Sequence, residues 1–133
     1  MKPGSKKQEP VIPTKTELAV LQLLWKFGPS TVRMVHDKLN EQKEVVQYTS
    51  TLKLMQVMKD KGMLVRDESN MKHIYSAAIP EETIKGNLLD KFVDTMYNGS
   101  ASSLVMALLQ KEKTSAAELE KMKAILAGLK KSK

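Results

Sequence analysis

His36 and His73 are the side chains of this sequence best suited to proton transfer or metal binding, and neither has a second ligand at the required spacing. Each reads as a surface residue. There is no cysteine, so a thiol nucleophile, a thiolate metal site and a disulfide framework are all excluded. No acid, base, nucleophile and orienting group gather along the chain, so an enzyme is not expected and neither is a cofactor. What the sequence offers instead is hydrogen bonding and positive charge. Tyr48, Thr49, Ser50 and Gln56 carry hydroxyls and an amide that suit base edges. Lys53, Arg66, Lys72 and His73 can hold phosphates.

The first of these groups must be positioned by the stretch from Gln47 to Gly62. At about 100° per residue, Thr51, Leu54, Met55 and Met58 fall on one face, and Thr49, Leu52, Lys53, Gln56 and Asp60 fall opposite. The spacing predicts a helix with a core side and a hydrogen-bonding side. Its leading threonine and serine are expected to cap free backbone N–H groups, and Gly62 is expected to end it.

Two shorter helices precede it. Thr14-Lys15-Thr16-Glu17 has capping-box spacing, and Leu18, Leu21, Leu24 and Trp25 recur at helical intervals before Gly28-Pro29 stops them. Thr31 can cap a second helix whose buried stripe is Val32, Val35 and Leu39, followed by a polar connection from Glu41 to Glu44. Beyond Gly62 the period changes to that of strands, with Leu64-Val65-Arg66 and His73-Ile74-Tyr75-Ser76 joined by the polar run from Asp67 to Lys72. Three short helices followed by a hairpin make a winged helix-turn-helix, in which the third helix enters the major groove. Asp67 and Glu68 keep the expected wing from being strongly basic.

Pro80 opens a different region. Ile84, Leu88, Phe92 and Met96 follow at four-residue steps, supported by Leu89 and Val93, until Asn98-Gly99-Ser100 breaks the helix. Leu104, Val105, Leu108 and Leu109 form the next stripe. Ser115-Ala116-Ala117-Glu118 repeats the capping-box spacing, and Leu119, Met122, Ile125, Leu126 and Leu129 continue as a final helix. With 5% aromatic residues, three short helices struggle to bury such broad stripes alone, and a second copy of the chain is the natural cover. Leu88, Phe92, Leu104, Val105, Leu108, Leu119, Met122, Ile125 and Leu129 are the expected dimer contacts.

The fold class is therefore mostly α with a small β-hairpin. Residues 1–13 are expected to form a disordered basic arm, 14–79 a winged-helix DNA-binding domain and 80–133 a three-helix dimerisation domain. The net charge of +7 favours an anionic partner, and it is concentrated early. There are 13 basic against 8 acidic residues through Ile79, and 9 against 7 from Pro80 onward. No apolar run is long enough to cross a bilayer and no signal-peptide core opens the chain, so a cytoplasmic protein without membrane insertion is expected.

At this point the residues resemble a known family, the penicillinase and methicillin-resistance repressors. The resemblance runs from Thr14 to Leu129. It rests on Glu17 to Trp25 with Gly28 to Val32, on Thr51 to Met58 with Lys61-Gly62, on Tyr75, on Gly99-Ser100 and Ser103-Leu104-Val105, and on Ser115 to Leu119. It implies a homodimeric winged-helix repressor with interlocked C-terminal helices, bound to palindromic double-stranded operators upstream of resistance genes. It also implies relief when a membrane sensor with a metalloprotease domain leads to cleavage in the dimerisation region. Three positions depart from the family pattern. Lys53 stands where members carry Thr or Ser, and Val57 where they carry a basic residue, which points to a different operator. Ala107 and Leu108 stand at the cleavage position in place of Asn and Phe. The cysteine cluster that ends copper-responsive relatives is missing, which argues against copper sensing. Two other functions compete: a winged-helix module for protein–protein assembly, and a small-molecule-responsive regulator with a pocket between the wing and Met96.

Overall fold

The computed structural model describes residues 10–41, 46–69, 71–111 and 115–131 and, of residues 126 and 129–131, the backbone alone. The expected arm through Glu9, the connection from Gln42 to Glu44 and the Leu129 side chain lie outside these. The elements are α1 (Lys15–Phe27), α2 (Val32–Glu41), α3 (Tyr48–Asp60), β1 (Leu64–Asp67), β2 (Ile74–Ala77), α4 (Glu81–Tyr97), α5 (Ala101–Leu109) and α6 (Ala116–Lys131). This is a winged helix followed by a helical region, mostly α with one hairpin. Two compact units divide between Leu88 and Leu89, inside α4.

The helix ends of the first unit follow local rules. Thr14 Oγ1 accepts from the Glu17 N–H at 3.2 Å and the Glu17 carboxylate accepts from the Thr14 N–H at 2.9 Å, closing the capping box of α1. Thr31 Oγ1 caps α2 through the Met34 N–H. α3 departs from expectation. It starts at Tyr48, so Thr49 and Ser50 already lie inside its first turn, and its N-cap is Gln47, which makes no side-chain bond. The Gln47 carbonyl accepts from Ser50 and Thr51 instead. At its other end Gly62 has φ +86, the Gly62 N–H reaches the Lys59 carbonyl and the Met63 N–H reaches the Met58 carbonyl. That is a Schellman motif, and the two residues it joins, Met58 and Met63, are both buried in the core.

The core gathers Val20, Leu21 and Leu24 of α1, Val32, Val35 and Leu39 of α2, Met55 and Met58 of α3, Leu64, Tyr75 and Ile84. β1 and β2 pair antiparallel, with Leu64 opposite Ala77 and Asp67 opposite Ile74. Ser30 and Tyr75 exchange backbone hydrogen bonds at 2.9 and 2.8 Å, which ties the loop after α1 to the hairpin. Trp25 is half-buried and donates its indole N–H to the Ile79 carbonyl.

Two boundaries differ from the sequence reading. Packing starts before Thr14: Val11 lies against the core, and Asn87 Nδ2 donates to its carbonyl at 3.1 Å. The N-terminal unit also takes in the first turns of α4, because Ile84 is fully buried and Leu88 leans on the same core. Leu88, expected at a dimer contact, is therefore half-covered by its own unit.

One buried ion pair joins the start of α1 to the end of α3. Lys61 Nζ lies 2.7 Å from Glu17 Oε2, with the Glu17 side chain 5% exposed and that of Lys61 49%. Burial works to raise the Glu17 carboxyl, but the Lys61 hydrogen bond, the Thr14 N–H and the Lys61 charge together hold it below its ordinary value of 4.5. A depressed carboxyl stabilises the fold above that value and loses the contribution as pH falls through the folded one. Glu17→Gln should lower stability at pH 7 by about 1–2 kcal/mol, the lower part of the range for a bond to a charged group because Lys61 is half in water. The difference between variant and unaltered chain should close as pH falls below 4.5. Thermal melts across pH check this, and a constant gap down to pH 3 counts against the pair.

In the second unit Ser100 caps α5 through the Ser103 N–H, and Ser115 and Glu118 form the expected capping box of α6. No residue of α5 is buried. Phe92, Met96, Leu108 and Ile125 are each at least 40% exposed, whereas Leu104, Val105, Leu119 and Met122 are half-buried. Phe92 meets Tyr97 edge to face at 5.8 Å. No helix among the described residues is long and apolar enough to cross a membrane.

Candidate nucleic-acid interface

Thr51, Met55 and Met58 turn inward, so α3 presents the opposite arc to solvent. Thr49, Ser50, Lys53, Gln56, Val57 and Asp60 are all exposed. At 100° per residue Lys53 lies at the middle of that arc, with Gln56 near one margin and Ser50 near the other. A groove on the Gln56 side is lined by Thr31 and Arg33 of the α2 start, Tyr48 and Gln56 of α3, and Arg66, Met71, Lys72 and His73 of the hairpin. Three elements far apart in sequence thus bring cations and an amide to one cleft.

Several expected site residues sit differently. Leu52 is half-buried against the core and also lines the Gln56-side groove, so it meets that cleft with an apolar side chain and no hydrogen bond. Ser50 lines a second groove, with Lys15, Leu18, Gln22, Leu39 and Leu54, on the α1 side of the helix. Tyr48 is half-buried, lines the Gln56-side groove, and its ring contacts two side chains of α2. The Arg33 guanidinium carbon lies 4.4 Å from the ring centroid, and His36 meets the ring edge to face at 5.4 Å. Lys72 and His73 are exposed at the hairpin, as expected.

His36 is a correction: it is 7% exposed, not a surface residue. Its Nδ1 lies 3.1 Å from Thr51 Oγ1, and its Nε2 lies 3.1 Å from Asn40 Nδ2. Asn40 Oδ1 accepts from the Val46 N–H at 3.2 Å, which leaves the amide NH₂ to donate to Nε2. The histidine proton therefore sits on Nδ1 and is donated to Thr51. This network fixes the roll of α3 against α2 and holds the chain that enters α3. A signal existed, since His36 shares a helical face with Val32, Val35 and Leu39.

Arg33 was missed altogether. A cation in the first turn of a helix opposes the dipole, so its presence there called for a partner, and Tyr48 supplies one.

In the hairpin, Arg66 Nε donates to Glu68 Oε2 at 2.6 Å and Nη1 donates to the Tyr75 hydroxyl at 3.4 Å. Glu68 is exposed, and its carboxyl is held below the usual range by the hydrogen bond and charge of Arg66. Asp67 accepts from the Ser69 N–H at 2.9 Å, which lowers its carboxyl too and shapes the turn.

A cleft of this composition suits a polyanion, and the sequence comparisons decide the class. The family model for the penicillinase repressor matches residues 13–128. The chain belongs to the penicillinase repressor family. It is 25% identical over 113 residues to the methicillin resistance regulatory protein MecI of Staphylococcus aureus (strain N315), covering 85% of this chain and 91% of that protein. The penicillinase repressor of Staphylococcus aureus is 26% identical over 110 residues, covering 83% and 86%. The transcriptional regulator BlaI of Mycobacterium tuberculosis (strain ATCC 25618 / H37Rv) is 25% identical over 115 residues, covering 85% and 81%. Members of this family are DNA-binding transcriptional repressors and not enzymes, which accords with the composition of the cleft.

Proposed function

We propose that the chain acts as a homodimer on a palindromic double-stranded operator, with one winged helix on each half-site. The observation that carries this reading is the groove between the α2 start, α3 and the wing, which joins phosphate-holding cations to a base-reading face. Thr49 and Gln56 read base edges in the major groove, and Arg33, Lys53, Lys72 and His73 hold the backbone. The apolar side chains exposed on α4, α5 and α6 support dimerisation through the second unit, with Phe92, Leu104, Val105, Leu108, Leu119, Met122 and Ile125 in the contact. The regulated genes are of the resistance type.

Induction proceeds by loss of the dimer. Ala107 and Leu108 occupy the last turn of α5 and lack the Asn-Phe pair of the family. A cut by the sensor pathway at any point between Asn98 and Lys113 separates α6 from the DNA-binding unit and has the same effect.

The test is to select bound duplexes from a random pool and then to compare two variants. Gln56→Ala should change the preferred base at one position of each half-site, because it removes a bidentate partner for adenine. Lys72→Ala should weaken all sites about equally and leave preference unchanged. The reverse pattern, or selected sites without two-fold symmetry, would overturn the docking.

A further inference from the structure

We infer that Glu68 is an internal competitor for the DNA backbone, holding Arg66 in the free protein and giving it up to a phosphate on binding. This rests on the proposed reading of the groove as the DNA site. The hairpin carries two cations, Arg66 and Lys72, and two carboxylates, Asp67 and Glu68, so with His73 neutral it has no net charge. The two acids are used differently. Asp67 faces back into its own turn at the Ser69 N–H. Glu68 instead presents one oxygen, Oε2, to both Nε and Nη2 of Arg66, at 2.6 and 2.5 Å. An anionic oxygen shared by two guanidinium N–H groups is the arrangement a phosphate oxygen takes on arginine.

The rest of Arg66 is held independently of Glu68. Its Nη1 donates to the hydroxyl of Tyr75, which is 1% exposed, and Tyr75 is fastened through its backbone to Ser30. The guanidinium therefore stays at the groove when its carboxylate leaves. The Arg66 side chain is 19% exposed and that of Glu68 50%, so the acid is the more accessible and more easily displaced member of the pair. An ion pair with so much solvent is weak, and displacing it costs little. A phosphate brought to Arg66 carries the same sign as Glu68, so the two do not share the guanidinium on equal terms. Glu68 thereby subtracts from the wing's affinity for any duplex without touching base preference, and it keeps non-specific binding low.

The experiment measures binding of the full chain, Glu68→Gln, Arg66→Gln and the double variant to a fluorescein-labelled duplex of mixed sequence. Salt is varied from about 50 to 200 mM, the range over which phosphate contacts dominate. Glu68→Gln should bind about tenfold tighter at the low end, and its log–log salt slope should steepen by about 1 for each protomer bound. In the Arg66→Gln background the same change should alter affinity less than about twofold, because no guanidinium is left to release. An equal gain in that background means that Glu68 acts only as a repelling charge, and the inference is overturned. Unchanged or weaker binding by Glu68→Gln overturns it as well, and would make Glu68 a support for Arg66. Absence of duplex binding by the unaltered chain brings down the proposed function along with it, whereas binding that is insensitive to Glu68 brings down the inference alone.

Discussion

An Ile125→Asp variant is expected to sediment as a monomer and to bind a two-half-site operator about 10²–10⁴-fold more weakly than the unaltered chain. Ile125 is 63% exposed on α6, Phe92 46% on α4 and Met106 56% on α5. A carboxylate placed among such side chains in a dimer loses water without gaining a partner, which a contact made of apolar stripes cannot tolerate. With the dimer gone, each winged helix engages its half-site alone, and the gain from holding two of them at a fixed separation disappears. The DNA-binding unit should keep its fold, since Ile125 is no part of its core. A fragment ending at Leu88 is the matching control. One ending at Ile79 would lack Ile84, which is fully buried in that core, and would confuse lost dimerisation with lost folding. Sedimentation together with operator titration decides the matter. A monomeric variant that binds the full operator as tightly as the intact chain would end the dimer mechanism.

Operator affinity should fall about 10³-fold between roughly 50 and 200 mM salt. Arg33, Lys53 and Lys72 on each protomer give a dimer about six phosphate contacts, and a log–log slope near −5 follows from counterion release. Arg66 is left out of that sum because the phosphate it gains replaces the Glu68 carboxylate it gives up, with no net change in paired charge. Removing Lys53 and Lys72 together should flatten the slope by about 3–4, since each protomer then loses two contacts. Fluorescence titration at four salt concentrations measures both quantities. A slope near zero would mean that the cleft does not face DNA phosphates, whatever its composition.

The features read correctly from the residues share a length scale. The Thr14–Glu17 and Ser115–Glu118 capping boxes, the Thr31 cap, the Gly62 exit and the antiparallel hairpin each involve residues close in sequence, whose chemistry is set within a turn or two. The apolar period of α1 and α2 was equally plain. The cap of α3 is a local exception, with Gln47 standing where Thr49 or Ser50 was expected, and the other differences rest on distant partners. Leu52 stands in a mostly polar row of its own helix, and only the core and the groove, built with other elements, make it a half-buried lining residue. His36 looked like a surface residue because Thr51, its hydrogen-bond partner, and Tyr48, which meets its ring, belong to another helix.

Residue order alone determined that this chain makes three short helices, a hairpin and a further set of amphipathic helices, and that it carries no thiol. Those properties depend on backbone propensity, on the period of apolar side chains and on which functional groups exist. Tertiary structure decided which polar groups remain available to a ligand. His36 is consumed by Thr51 and Asn40, the Tyr48 ring is stacked on Arg33, and Arg66 is held by Glu68 in the free protein, while Lys53, Gln56 and Lys72 are left in solvent. It also drew the boundary of the first unit at Leu88, because Ile84 and Leu88 find their apolar partners there. Availability depends on partners distant in the chain, and short spacings cannot contain it.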